Sequence, residues 1–197
     1  CNTVSAVSLD AIRKSLGIAV TGVIEPGAKA AVAATKNKRV GVIGTSATIR
    51  SGSYTRAIQS SDPNIEVFPL PCPLFVPLVE EGWTEGPIVE MTAEKYLGEV
   101  KEKGIDTLVL GCTHYPLLKK ILSKIMGPDV KLIDSAIETA VEIKRTLEGS
   151  SLLNLSSANP AREFYVTDSP DKFLEIGERF MGRKIVFIKK IELGPEV

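Results

Sequence analysis

Two short motifs place a thiol beside small hydrogen-bonding side chains: Cys1-Asn2-Thr3 at the first residue, and Gly111-Cys112-Thr113-His114-Tyr115-Pro116 near the middle. A thiol can take or give a proton not far from neutral pH, its ordinary pKa being about 8.5. Two such groups, each set among donors and acceptors, point to paired acid/base chemistry on one substrate. His114, the chain's single histidine, stands two residues from Cys112, where an imidazole can assist proton transfer. Cys72, between Pro71 and Pro73, reads instead as a small packing residue.

Strands and helices must carry these residues. Val40-Gly41-Val42-Ile43-Gly44, Asp106-Thr107-Leu108-Val109-Leu110 and Val130-Lys131-Leu132-Ile133-Asp134 are short apolar runs with the look of parallel strands covered on both faces. Helical spacing of apolar residues over 88–103 and 117–126 ends at Gly104 and at Gly127-Pro128. Asp168-Ser169-Pro170 predicts a capped helix running to about Met181, and the Ser- and Asn-rich stretch 149–160 a loop. Strands alternating with helices imply an α/β fold with a mostly parallel sheet.

Cys112 therefore follows a strand directly, with Pro116 suited to the first turn of the next helix. Ligands of open α/β sheets bind at that edge, and a helix N-terminus there favours a thiolate, so a lowered pKa is expected. Residues 3–16 carry Val4, Val7, Ala11, Ile12 and Leu16 and predict one helix after Cys1, ending at Gly17. The two motifs thus look like matching corners of two half-sites. The turn Gly44-Thr45-Ser46-Ala47-Thr48 is neither a G-x-G-x-x-G nor a P-loop sequence, yet its hydroxyls and backbone N–H groups could hold a carboxylate. The cysteine and histidine spacing matches no usual zinc pattern, so no metal is expected.

Composition sets the outer limits. The chain has 197 residues, 44% hydrophobic and 24% charged, enough for a core in one large domain or two small ones. Twenty-four basic side chains balance twenty-four acidic ones, and no basic stripe is interleaved with aromatics, which argues against a nucleic-acid partner. No apolar run reaches the ~20 residues that span a bilayer. Three widely spaced cysteines fit reduced thiols in a cytoplasm.

The segment Gly22-Val23-Ile24-Glu25-Pro26-Gly27 reads as a strand followed by a breaker, and Asp134-Ser135 closes a strand further on. Residues 22–135 are therefore expected as one complete α/β domain, with 1–21 and 136–197 as the remainder of another. That remainder holds too few strands for a sheet of its own, and the chain opens on a thiol without Met. Both features suggest a piece of a longer protein.

Taken together, Cys1-Asn2-Thr3, Gly44-Thr45 with Thr48, the run Pro71-Cys72-Pro73-Leu74-Phe75-Val76-Pro77-Leu78-Val79-Glu80, and Gly111-Cys112-Thr113-His114-Tyr115-Pro116-Leu117-Leu118 resemble bacterial glutamate racemases of the aspartate/glutamate racemase superfamily. The four motifs agree in order and spacing along the whole chain. The resemblance implies two α/β domains with the site in the cleft between them, commonly a homodimer, and cofactor-independent interconversion of L- and D-glutamate supplying peptidoglycan synthesis. It assigns Cys1 and Cys112 as the base/acid pair. It also implies that Asn2, Thr3, Thr45, Thr48, Thr113 and His114 hold the substrate, with His114 and Glu80 assisting Cys112.

Inverting an α-carbon needs proton carriers on opposite faces of one plane, and a thiolate with a thiol answers that need. Such groups typically supply about 10²–10⁴-fold each, so preorganised donors in a water-poor cleft must provide the rest. The family's Asp-Ser-Gly and Pro-Tyr-Gly segments upstream of the first cysteine motif are not in these residues, and the 197 residues alone are expected to be poorly stable and nearly inactive. An aspartate-specific racemase, an N-terminal-nucleophile hydrolase led by Cys1, and a non-catalytic two-lobed ligand-binding domain are the alternatives.

Overall fold

The apolar runs do form strands. In a computed structural model, which describes residues 1–156 and 158–194, these are β1 (Arg39–Gly44), β3 (Thr107–Gly111) and β4 (Lys131–Asp134), joined by β2 (Glu66–Pro71). All pair in parallel in the order β2-β1-β3-β4. β2 was not evident in the sequence because Glu66-Val67-Phe68-Pro69-Leu70-Pro71 carries two prolines. A proline removes a ladder donor, and β2 tolerates it because it is an edge strand, bonded only to β1.

Helices cover the sheet on both sides: α1 (Asn2–Val7), α2 (Leu9–Ser15), α3 (Ile24–Ala34), α4 (Ser46–Arg50), α5 (Ser53–Ser61), α6 (Phe75–Glu80), α7 (Pro87–Glu102), α8 (Lys119–Met126) and α9 (Ser135–Gly149). Side chains alternate across a strand, and here the alternation divides the core. Val40 and Val42 of β1 and Val109 of β3 pack with Ile24, Ala28, Ala31, Tyr54 and Ile58 from α3 and α5. Ile43 of β1 and Leu108 and Leu110 of β3 face the other way, onto Phe75, Val79, Leu97, Leu118 and Leu122 from the α6 to α8 side. Each fully buried aliphatic side chain contributes about 1.5–3 kcal/mol relative to exposure.

Three local expectations are corrected. Residues 22–27 do not form a strand: α3 begins at Ile24 with Pro26 in its first turn. A first-turn residue has no intrahelical acceptor for its N–H, so proline costs nothing there, and the alanine-rich run after it propagates the helix. Residues 3–16 form two helices rather than one, because Ser8 leaves the helical region (φ −127°) and starts α2. The segment after β3 opens as a 3₁₀ turn (Tyr115–Leu118) before α8.

The chain divides into two compact units, Cys1–Leu153 and Asn154–Val197, a division that falls elsewhere than the expected boundaries at 21/22 and 135/136. The second unit is small. β5 (Phe164–Val166) and β6 (Ile188–Lys190) pair in parallel around α10 (Pro170–Met181), so this stretch does hold a minimal sheet. Ser169 caps α10 as expected, its hydroxyl accepting from the Lys172 N–H at 3.3 Å. Residues 150–156 and 158–160 carry no regular element, in keeping with the expected loop; residue 157 lies outside the described residues. Among the described residues no helix is long and apolar enough to cross a membrane.

Candidate active site

Because the four strands of the first unit run parallel, their carboxyl ends share one edge. The chain leaves β1 for β2 on one side and returns to β3 on the other, so neighbouring connections diverge between β1 and β3. Ligands of open α/β sheets bind in the crevice at such a point. Thr45 follows β1 there and Cys112 follows β3. The strand ends approach closely: a Cβ at Gly111 would lie 2.7 Å from the Ile43 carbonyl and 3.0 Å from the Tyr54 ring, which only glycine avoids.

The first motif lies over this edge. Thr3 Oγ1 is 2.8 Å from Thr45 Oγ1 and 3.2 Å from Thr48 Oγ1, and the latter two are 3.0 Å apart. Thr45 also caps α4, its hydroxyl accepting from the Thr48 N–H. Three hydroxyls thus converge from two distant segments. Cys1 precedes α1 and is exposed.

Asn2 is held differently. Its Oδ1 accepts from the Tyr54 hydroxyl at 2.7 Å, and its Nδ2 donates to Ser135 Oγ at 3.4 Å. Ser135 in turn donates to the Leu110 carbonyl of β3 at 3.1 Å. Asn2, Tyr54 and Ser135 are each 3% exposed or less. Tyr54 and Ser135 were not singled out from the sequence. Ser135 was noted only as closing a strand, and nothing in the local pattern around Tyr54 marks its hydroxyl as aimed at Asn2.

On the other side of Cys112 a row of three polar side chains is assembled. Cys112 Sγ lies 3.7 Å from His114 Nδ1, and His114 Nε2 lies 3.2 Å from Glu80 Oε1 at the end of α6. With Nε2 donating to the carboxylate, Nδ1 faces sulfur as an acceptor for the S–H proton. Burial pushes the Cys112 thiol up, and the His114 N–H, the Thr113 hydroxyl and the Tyr115 N–H pull against that rise without cancelling it. The lowered pKa expected from a helix N-terminus is therefore corrected. Cys112 is 5% exposed and faces a tight turn, so desolvation of the thiolate outweighs the few hydrogen bonds aimed at it.

Thr113 is exposed at the same edge. Cys72 is fully buried, its thiol 3.8 Å from the Leu70 carbonyl and pushed up by burial, as suits a packing residue. Behind the site, Asp134 caps α9 through the Ala136 N–H at 2.9 Å and pairs with Lys119. Among the described residues no group of three or more His, Cys, Asp or Glu side chains converges to hold a metal ion.

The Asp/Glu/Hydantoin racemase family model matches residues 1–143. A glutamate racemase of Geobacter metallireducens is 48% identical over 196 residues, a match that takes in 100% of this chain and 73% of that protein. One of Neisseria meningitidis is 48% identical over 195 residues, with 98% of this chain and 72% of that protein covered. Among solved structures, a glutamate racemase from Bacillus anthracis superposes with TM-score 0.93 at 39% identity, covering 98% of this chain and 72% of its own. One from Francisella tularensis in complex with D-glutamate gives TM-score 0.89 at 40% identity, covering 98% and 71%. With the family model matched over most of its length and its fold shared with relatives of this identity, this chain belongs to the Asp/Glu/Hydantoin racemase family.

Proposed function

We propose that this chain carries the racemisation of glutamate by two cysteines, without a cofactor. The observation that carries the reading is the pairing, at one sheet edge, of the Cys1-Asn2-Thr3 motif with a Cys112–His114–Glu80 relay. The 48% identity to glutamate racemases supports the substrate.

One cysteine enters as thiolate and the other as thiol. The thiolate takes the α-proton, forming S–H and leaving the C–H electron pair on the α-carbon, delocalised toward the carboxylate. The opposite thiol then gives its proton to the other face and is left as thiolate. Cys1 and Cys112 exchange roles with the direction of reaction. His114, held by Glu80, assists proton movement at Cys112. The hydroxyls of Thr3, Thr45, Thr48 and Thr113, with His114 beside them, receive the substrate's carboxylates and ammonium, where fixed donors in a dry site are worth far more than in water. The carboxamide of Asn2, which the resemblance also places at the substrate, is instead engaged by Tyr54 and Ser135.

Beyond the reaction, the resemblance supports a homodimer supplying D-glutamate for peptidoglycan, and three unpaired cysteines suit a cytoplasmic location. The division into 22–135 as one α/β domain and 1–21 with 136–197 as part of another belongs to the same reading. The test is incubation of the full-length protein with L-glutamate in deuterated water without pyridoxal phosphate. D-glutamate labelled at the α-carbon is expected, and its loss in both Cys1→Ala and Cys112→Ala variants. Full activity in both variants overturns the two-thiol account.

A further inference from the structure

Residue 2 is the one member of the first motif whose side chain is turned wholly into the protein. Its carboxamide is taken up by two partners far away in sequence, the Tyr54 hydroxyl at 2.7 Å and Ser135 Oγ at 3.4 Å. Both partners are fixed on the sheet. Ser135 donates to the Leu110 carbonyl two residues before Cys112, and its α9 position is locked by the Asp134 cap and the Lys119–Asp134 ion pair. Tyr54 packs in the core on the same side as Ile24, Ile58 and Val109, and a Cβ on Gly27 would lie 3.2 Å from its hydroxyl, so the phenol has little room to move. Burial pushes the Tyr54 hydroxyl up, with Ser135 pulling the other way, so it stays a neutral donor.

Resting on the two-cysteine reading above, we propose that Tyr54 and Ser135 are positioning residues that clamp Asn2 to the carboxyl edge of β3 and thereby set the distance of Cys1 from the α-carbon opposite Cys112. Neither touches the reacting atoms. Cys1 itself is exposed and makes no side-chain cap to α1; its carbonyl accepts from the Ser5 N–H at 3.0 Å, and the Asn2 clamp, together with Thr3 on Thr45 and Thr48, ties that first turn of α1 to the sheet. Cys112 needs no such help, because it directly follows Gly111, the last residue of the central strand β3.

The two thiols are therefore affected unequally when the clamp is loosened. A misplacement of about 1 Å can cost on the order of 10²-fold in rate. With Cys1 displaced, the enantiomer that Cys112 deprotonates forms its carbanion normally but waits for a proton from the far side. Cys112, having exchanged its proton with solvent, returns a solvent proton to the original face. That enantiomer then gains solvent deuterium with retained configuration faster than it inverts. The other enantiomer, which depends on Cys1 for the first step, gains little.

The experiment measures, for each glutamate enantiomer in deuterated water, the ratio of α-deuteration with retention to inversion, in the full-length protein and its Tyr54→Phe and Ser135→Ala variants. The ratio is internal to active molecules, so partial unfolding does not move it. Thr107→Val, which removes a buried hydroxyl at the far end of β3, is the control for lost stability alone. A rise of about 10-fold or more for one enantiomer only, with KM little changed and the control at the wild-type ratio, is the expected result. Equal changes for both enantiomers, or none, overturn the clamp. If wild-type protein does not racemise glutamate without cofactor, the underlying reading itself has failed, which this wild-type arm reveals separately.

Discussion

Thr3 Oγ1 lies 2.8 Å from Thr45 Oγ1, so the first motif closes onto the residue that follows β1. The two hydroxyls and that of Thr48 satisfy one another here, and each can rotate its O–H to donate to an incoming carboxylate. Thr45→Val removes one hydroxyl and a helix cap together. It is expected to raise KM for glutamate about 10-fold, with a smaller fall in kcat, and to cost about 1 kcal/mol of stability. Steady-state kinetics and urea unfolding check the two parts independently.

Glu80 fixes the orientation of His114 and is partly open to water. Glu80→Gln keeps the shape and loses the charge, so kcat is expected to fall about 10-fold, while His114→Ala, which removes the relay, falls about 10²-fold or more. The order of the two effects is the check: a larger loss in Glu80→Gln than in His114→Ala contradicts the relay.

Cys112 is pushed up by burial, and this has consequences for both rate and stability. Turnover from the enantiomer that Cys112 deprotonates should rise with pH through the usual thiol range and above it. For stability the sign is opposite. A folded pKa above the unfolded one favours the native state below the unfolded value of about 8.5, and the advantage is lost as pH rises through the folded value. Cys72 acts in the same direction. The difference between wild type and Cys112→Ser in urea unfolding from pH 7 to 10 isolates the Cys112 part, with wild type losing stability more steeply.

Gly111 has no room for a side chain, since both obstacles, the Ile43 carbonyl and the Tyr54 ring, belong to the packed centre. Gly111→Ala is expected to destabilise by about 1–3 kcal/mol and to disturb the Tyr54 hydroxyl. A thermal melt within a degree of wild type refutes this.

Asp106 organises the turn from α3 into β1. Burial works to raise its pKa, yet the Thr35 hydroxyl, the Asn37 and Lys36 N–H groups and the Thr107 hydroxyl together outweigh burial, and the carboxyl is held below its usual range. A lowered pKa contributes stability above the unfolded value of about 3.9, lost as pH falls through the folded one. Asp106→Ala should cost roughly 1–3 kcal/mol at pH 7 and much less at pH 2, measured by denaturant unfolding.

What could be read from the residues alone was local or repetitive. The runs at β1, β3 and β4 announce buried parallel strands because both faces are apolar, and Ser169-Pro170 announces a helix start because capping chemistry is contained within four residues. Cys112 with His114, and Thr45 with Thr48, were visible because each pair lies within three positions. The family resemblance added Glu80 and assigned Cys1 with Cys112 as the base/acid pair.

The rest depends on residues that meet only after folding. β2 hid behind two prolines that an edge position excuses, and α3 hid behind a proline that a first turn excuses; both permissions come from neighbours, not from the segment itself. The direction of the Cys112 shift turned on how much water the fold removes, a quantity that no spacing encodes. The clamp on Asn2 joins positions 2, 54 and 135, brought together by parallel strands whose ends share one edge. The sequence by itself determined which groups could carry protons and which runs would form the sheet. Only the tertiary structure decided where those groups stand relative to one another, because hydrogen-bond geometry and desolvation act over a few ångströms in space, whatever the separation along the chain.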